Sequence, residues 1–144
     1  MNNATVIIFD EAKFITELLT EFVRGVNSEV QILATQNTDQ AIAWVDEHRP
    51  CLVLTNAIPS LDIREPESFK ENDAGLKLIR HIRKHVDSQI SKTWIILFMS
   101  RLEEFFPDEM RELIGERANL FIKPFQPEML NITLQALFRT LLKY

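Results

Sequence analysis

Five short apolar runs, separated by longer segments with helical apolar spacing, constrain this 144-residue chain more than any other feature. The runs are Thr5–Phe9, Val30–Ala34, Cys51–Thr55, Trp94–Met99 and Asn119–Ile122. All are rich in Ile, Val, Leu or Phe and of strand length, as parallel strands buried on both faces are. Between them Phe14, Ile15, Leu18, Leu19, Phe22 and Val23 mark a first helix, which Gly25 is expected to stop. Asn37 or Thr38 can cap a second helix carrying Ala41, Ile42 and Val45. Leu76, Leu78, Ile79, Ile82 and Val86 mark a third. Pro107 suits the first turn of a fourth, with Met110, Leu113 and Ile114, ending at Gly115. Pro127 opens a fifth that runs to the last residues. Five strand–helix units in series imply an α/β, doubly wound parallel sheet with helices on both faces. The length suits a single domain over 1–144, and no internal repeat or linker interrupts it.

Composition narrows the function classes. Hydrophobic residues are 46% and charged residues 26%, ordinary values for a globular domain, and the net charge is −5. That balance argues against a nucleic-acid surface, which needs clustered Lys and Arg. The longest apolar run, "WIILFM", is too short to span a bilayer, so no membrane contact is expected. The start, "MNNATVIIF", lacks a charged region ahead of a long apolar stretch. No secretory signal is therefore expected, and the expected location is cytoplasmic. The single cysteine, Cys51, sits in an apolar run and reads as a core thiol in a reducing compartment.

One segment breaks the rhythm. "SLDIREPESFKENDA", Ser60–Ala74, carries five acids, two bases and a proline between the third strand and third helix. Connections in α/β units usually run about 2–6 residues. This insertion, at 60–74, lies where open α/β sheets meet ligands and partners, beyond the strands' C-terminal ends.

The same edge collects the chain's chemistry. Asp10 and Glu11 follow the first strand, Thr55 and Asn56 end the third, Met99 and Ser100 end the fourth, and Lys123 follows the fifth. Two adjacent carboxylates repel each other and offer oxygen ligands to a hard divalent cation. A lysine across the site is a point charge for a phosphate or carboxylate. Acids also suit the start of a helix, so the pair has a purely structural use as well.

Taken in order, these stretches resemble the receiver domains of response regulators in two-component phosphorelays. "VIIFDEAKFITELL" resembles that family's first strand, acidic pair and first helix. "RPCLVLTNAIPSLD" resembles its third strand, phosphorylation site and following Pro turn, "AGLKLIRHIRK" its third helix, and "NLFIKPFQPEML" its fifth strand with Lys-Pro-Phe. The resemblance spans nearly the whole chain and implies a CheY-like, flavodoxin-like (βα)5 sheet of order 2-1-3-4-5. It departs from the family where the chemistry sits. Receivers accept phosphate on an Asp at the end of strand three. Aligning by the strand puts Asn56 there, and aligning by Pro59 puts Thr55 there. Neither is a carboxylate, and an amide oxygen has no ionised form with which to form an acyl phosphate. The family's Thr or Ser at the end of strand four matches Met99, with Ser100 one step on. Its aromatic switch position holds Leu120, beside Phe121.

The expected function is thus that of a pseudo-receiver: a phosphorylation-independent protein interaction module with a degenerate pocket of Asp10, Glu11, Thr55, Asn56, Met99, Ser100 and Lys123. No catalytic residue and no cofactor are expected, only weak Mg²⁺ binding through Asp10 and Glu11, against which Lys123 competes. The alternative is a working phospho-receiver with a displaced acceptor such as Asp62, which lies beyond the Pro turn. A flavodoxin-like enzyme fits less well, because Asp10-Glu11 would repel a phosphate at the first helix and no Gly-rich loop is present. His81 and His85 have i, i+4 spacing, but a zinc site needs further ligands and His48 is remote in sequence. Partner contacts are expected at the 60–74 insertion, at Phe105 and Phe106, and along the last helix. The apolar positions of that helix, Phe138 among them, exceed one core-facing stripe and suit a homodimer or an effector. The expected partners are proteins of a signalling pathway.

Overall fold

The computed structural model describes residues 4–56, 74–99 and 108–142, with backbone only for 108–110. The apolar runs form β1 (Thr5–Phe9), β2 (Gln31–Thr35), β3 (Leu52–Asn56), β4 (Trp94–Met99) and β5 (Ala118–Ile122). They make one five-stranded sheet of order β2-β1-β3-β4-β5, parallel throughout. Around it lie α1 (Lys13–Val26), α2 (Thr38–His48), α3 (Ala74–Arg83), α4 (Ser88–Ser91), α5 (Asp108–Ile114) and α6 (Pro127–Leu142).

Strand pleating divides the core in two. Ile7, Phe9, Val53, Ile95, Leu97 and Met99 project to one face, where Val45 of α2, Ile79 and Ile82 of α3, Ile90 of α4 and Ile114 of α5 cover them. Val6, Ile8, Leu52, Leu54, Ile96 and Phe98 project to the other, under Leu19 and Val23 of α1 and Leu130, Leu134 and Phe138 of α6. Central strands buried on both faces must read as continuous apolar runs rather than alternating ones. Edge strands β2 and β5 carry exposed positions instead.

Several local expectations are corrected. β2 and β3 begin and end one residue later than the apolar runs suggest. α1 continues through Gly25 to Val26 and stops at Asn27, whose Oδ1 accepts from the Glu29 amide. Gly25 is exposed and a Cβ there would meet nothing, so its helical placement costs only backbone entropy. Gly115 does end α5, with a positive φ of 71°. At α2 it is Asn37 that caps, accepting from the Gln40 amide at 2.9 Å. Val86 is not on the third helix's apolar face; it lies past the end of α3 and is 99% exposed. The chain turns there because Asp87 caps α4, a helix the apolar spacing does not reveal, and six helices rather than five stand among the described residues.

Arg83, the last residue of α3, fixes this turn. Its guanidinium donates to the carbonyls of Ser91, Thr93, Ile114 and Arg117 at 2.6–3.0 Å. Burial, with Arg117 nearby, pulls its pKa down to about 10, still fully charged at neutral pH. Cys51, just ahead of β3, is partly buried and packs against the second core cluster, its Sγ 3.6 Å from the Thr5 carbonyl.

Candidate functional site at the strand C-terminal edge

Asp10, Asn56 and Lys123 meet at the sheet edge because three strands end in register. β1 and β3 pair Phe9 with Thr55, so Asp10 and Asn56 are the next residues on adjacent strands. β3 and β4 pair Asn56 with Phe98, and β4 and β5 pair Phe98 with Phe121 and Met99 with Ile122. The amide of Lys123 then donates to the Met99 carbonyl at 2.7 Å, holding the lysine just past the end of β5.

Asp10 is buried, and its Oδ1 accepts from the Ala12 amide at 2.9 Å. Its Oδ2 faces Lys123 Nζ at 3.9 Å, an ion pair whose lysine end is 38% exposed. Such a half-wet pair is worth little to stability. Its effect is to set a cation opposite Asp10, the buried carboxylate of this edge among the described residues. Asn56 is 6% exposed, and its Oδ1 has no hydrogen-bond partner among the described residues.

The remaining expected residues divide. Thr55 is fully buried one step back, and its Oγ1 donates to the Asn56 carbonyl at 2.8 Å. Register therefore sets Asn56, not Thr55, beside Asp10. Glu11 is exposed. Met99 is buried in the apolar cluster with Ile7, Phe9 and Leu97. Leu120 is 38% exposed on β5. Its neighbour Phe121 instead packs with Phe98 and Phe125, ring centroids 5.2–5.7 Å apart. Ser100, Phe105 and Phe106, with Asp62 and nearly all of the 60–74 insertion, lie outside the described residues.

Phe138 is corrected: it is 4% exposed, packed against the sheet, and unavailable to a partner. The outward apolar positions of α6 are Met129 and Ile132, and α1 adds Phe14 and Leu18. Leu18, Phe22 and Val26 of α1 line a groove with Asn131 and Gln135 of α6.

Sequence spacing missed one cluster. His81 and His85 are not simply a solvated helix face: both Nε2 atoms reach Asp46 Oδ1, at 2.7 and 3.0 Å. Asp46 comes from α2, and His85 lies past the end of α3. Only the packing of α2 on α3 could reveal the third member.

No family model matches the sequence. No curated protein matches it either. The fold does find solved relatives. The chemotaxis protein CheY4 of Vibrio cholerae matches with a TM-score of 0.69 at 17% identity, over 94% of this chain and 99% of that one. The signal receiver domain of a DNA-binding response regulator from Colwellia psychrerythraea matches at 0.70 and 16%, over 95% and 99%. A two-component response regulator from Clostridium difficile matches at 0.69 and 19%, over 95% and 97%. At such identities the likeness is one of fold, and this chain has the fold of response-regulator receiver domains.

Proposed function

We propose that this chain is a pseudo-receiver of two-component or phosphorelay-type signalling, binding protein partners independently of phosphorylation. The observation that carries the reading is Asn56. A buried amide stands beside Asp10 at the strand-three end where receivers hold their acceptor carboxylate. Carboxylate oxygen attacks phosphorus because it is anionic; an amide oxygen at neutral pH is not. Lys123, paired with Asp10 rather than free to meet a phosphoryl group, supports the same reading. So does Met99, which offers no hydroxyl to follow such a group.

The donors left are of the type Mg²⁺ takes: the Asp10 carboxylate and the Asn56 amide oxygen. Among the described residues Asp10 is the one buried carboxylate of this edge, and it already faces a lysine, which suits at most weak binding. The exposed apolar side chains of α1 and α6, Phe14, Leu18, Met129 and Ile132, of which Leu18 lines the groove between the two helices, support a protein-binding surface or a homodimer contact through α6. The net charge of −5 favours proteins over nucleic acid as partners. Among the described residues no helix is long and apolar enough to cross a membrane. A cytoplasmic location and the absence of catalytic activity belong to the same proposal.

The test is incubation with a small acyl-phosphate donor and Mg²⁺, followed by intact-mass measurement. The expected outcome is an unmodified protein. Gain of a single acid-stable, base-labile phosphoryl group would establish a displaced acceptor and a working receiver.

A further inference from the structure

The α2–α3 seam carries a set of side chains that the receiver reading does not use. Asp46 projects from the last turns of α2; His81 lies on α3, and His85 follows its end. The three ligand-type atoms lie within 4.8 Å of one another. Both imidazole Nε2 atoms point at the same carboxylate oxygen, Asp46 Oδ1, at 2.7 and 3.0 Å, and the rings stand edge to face with centroids 5.4 Å apart. The side chains are partly exposed, 48% for Asp46, 28% for His81 and 20% for His85, so an ion and its waters can reach them. Partial burial pushes the Asp46 carboxyl up, but the hydrogen bonds and charge of the two histidines outweigh it and hold it below its ordinary value.

We infer that Asp46, His81 and His85 form a binding site for a borderline-soft divalent ion of the zinc class. Two nitrogens and one carboxylate oxygen, with the remaining position open to water, match three-ligand zinc sites. Mg²⁺ and Ca²⁺ prefer all-oxygen sites. Zinc–ligand bonds of about 2.0–2.2 Å set tetrahedral ligand atoms roughly 3.3–3.5 Å apart. To reach that spacing the two nitrogen–oxygen contacts open from 2.7 and 3.0 Å, and the imidazole nitrogens, within 4.8 Å of each other, adjust by side-chain rotation.

His85 makes the site specific in a further way. Without metal, its Nδ1 accepts the Asp87 amide at 2.9 Å, so the neutral ring carries its proton on Nε2, facing Asp46. Metal binding at Nε2 requires the other tautomer, with the proton moved to Nδ1. The Asp87 amide must then release the ring. Asp87 also caps α4 through Gln89 and pairs with Arg49 at 2.7 Å, so occupancy of the site is coupled to the turn between α3 and α4. The third histidine, His48, lies against Glu47 at 3.8 Å, outside the set.

Untagged, metal-stripped full-length chain titrated with zinc by calorimetry tests this. One saturable site is expected, with His81→Ala, His85→Ala and Asp46→Asn each weakening it at least tenfold. His48→Ala and Asp10→Asn leave it unchanged, and excess Mg²⁺ does not compete. In amide NMR spectra of the wild type, the Asp87 signal shifts on zinc addition. Absence of saturable zinc binding overturns the inference. So does binding that persists when His81 and His85 are replaced together, or a site that Asp10→Asn abolishes.

Discussion

Restoring the acid, Asn56→Asp, tests the edge most directly. The new carboxylate would stand beside Asp10 on an adjacent strand, in register and equally buried. Neighbouring strands lie about 4.8 Å apart, so the two charges would be roughly 5 Å apart. At an effective dielectric near 20 their repulsion is about 3 kcal/mol. Lys123 offsets part of this, but it is already committed to Asp10 at 3.9 Å and is partly solvated. The net expectation is a loss of about 1–3 kcal/mol without divalent metal. For a chain of this length that lowers Tm by roughly 3–10 °C. Mg²⁺ at about 10 mM should recover most of the loss, because a third oxygen ligand completes a hard-cation site. Wild type should respond little to the same addition. The penalty should also shrink in acid: the crowded pair shares a proton, so the folded-state pKa of one carboxyl lies above its unfolded value and the repulsion vanishes below both. Thermal melts with and without Mg²⁺, at neutral and acidic pH, measure all of this. A variant as stable as wild type and equally indifferent to Mg²⁺ would refute the placement of Asn56 beside Asp10.

Arg83→Ala should cost about 2–4 kcal/mol in urea unfolding, since four carbonyls lose a charged donor at once, although water can rescue the outer ones; a loss below about 1 kcal/mol would show the contacts to be incidental. Burial lifts the Cys51 thiol from 9.0 to about 11, partly countered by a backbone hydrogen bond. Its stabilising contribution is therefore complete below pH 9 and fades through pH 11, by about 2–3 kcal/mol at most. At pH 8 Cys51 should react with thiol reagents far more slowly in the folded than in the unfolded chain, and equal rates would contradict its burial.

Much of the fold could be read from the sequence, for one physical reason. A strand buried on both faces has no choice but to be apolar throughout, so β1, β3 and β4 announce themselves. Their ends are less certain, because the last residue of a buried strand is free to be polar: Asn56 belongs to β3 yet lies beyond the apolar run that marks it. α4 was invisible because four residues are too few for periodicity, and its stability comes from the Asp87 cap. Phe138 and Val86 fail in opposite directions for a shared reason. Apolar character does not say which way a residue faces once a helix curves over a sheet or stops a turn early. At the edge, Asp10 and Lys123 were legible by position, whereas choosing between Thr55 and Asn56 needed the β1–β3 register. The Asp46–His81–His85 cluster depends on two helices meeting, and spacing within either one could not give it.

The grip of Arg83 has a mechanical consequence. Thr93 immediately precedes β4 and Arg117 immediately precedes β5, so a single planar cation clamps the starts of both strands to each other and to the end of α3. The opposite ends of those strands, at Met99 and Ile122, carry no such clamp among the described residues. β4 and β5 therefore resemble two rods fixed in a common base, unable to slide past one another. At the C-terminal ends the same two strands are held by the Met99–Ile122 pairing, the Lys123 amide on the Met99 carbonyl and the Phe98–Phe121 contact. A lysine at position 83 could not replace the clamp, because an ammonium is a point charge with fewer donors than a guanidinium fork needs to hold four carbonyls in place.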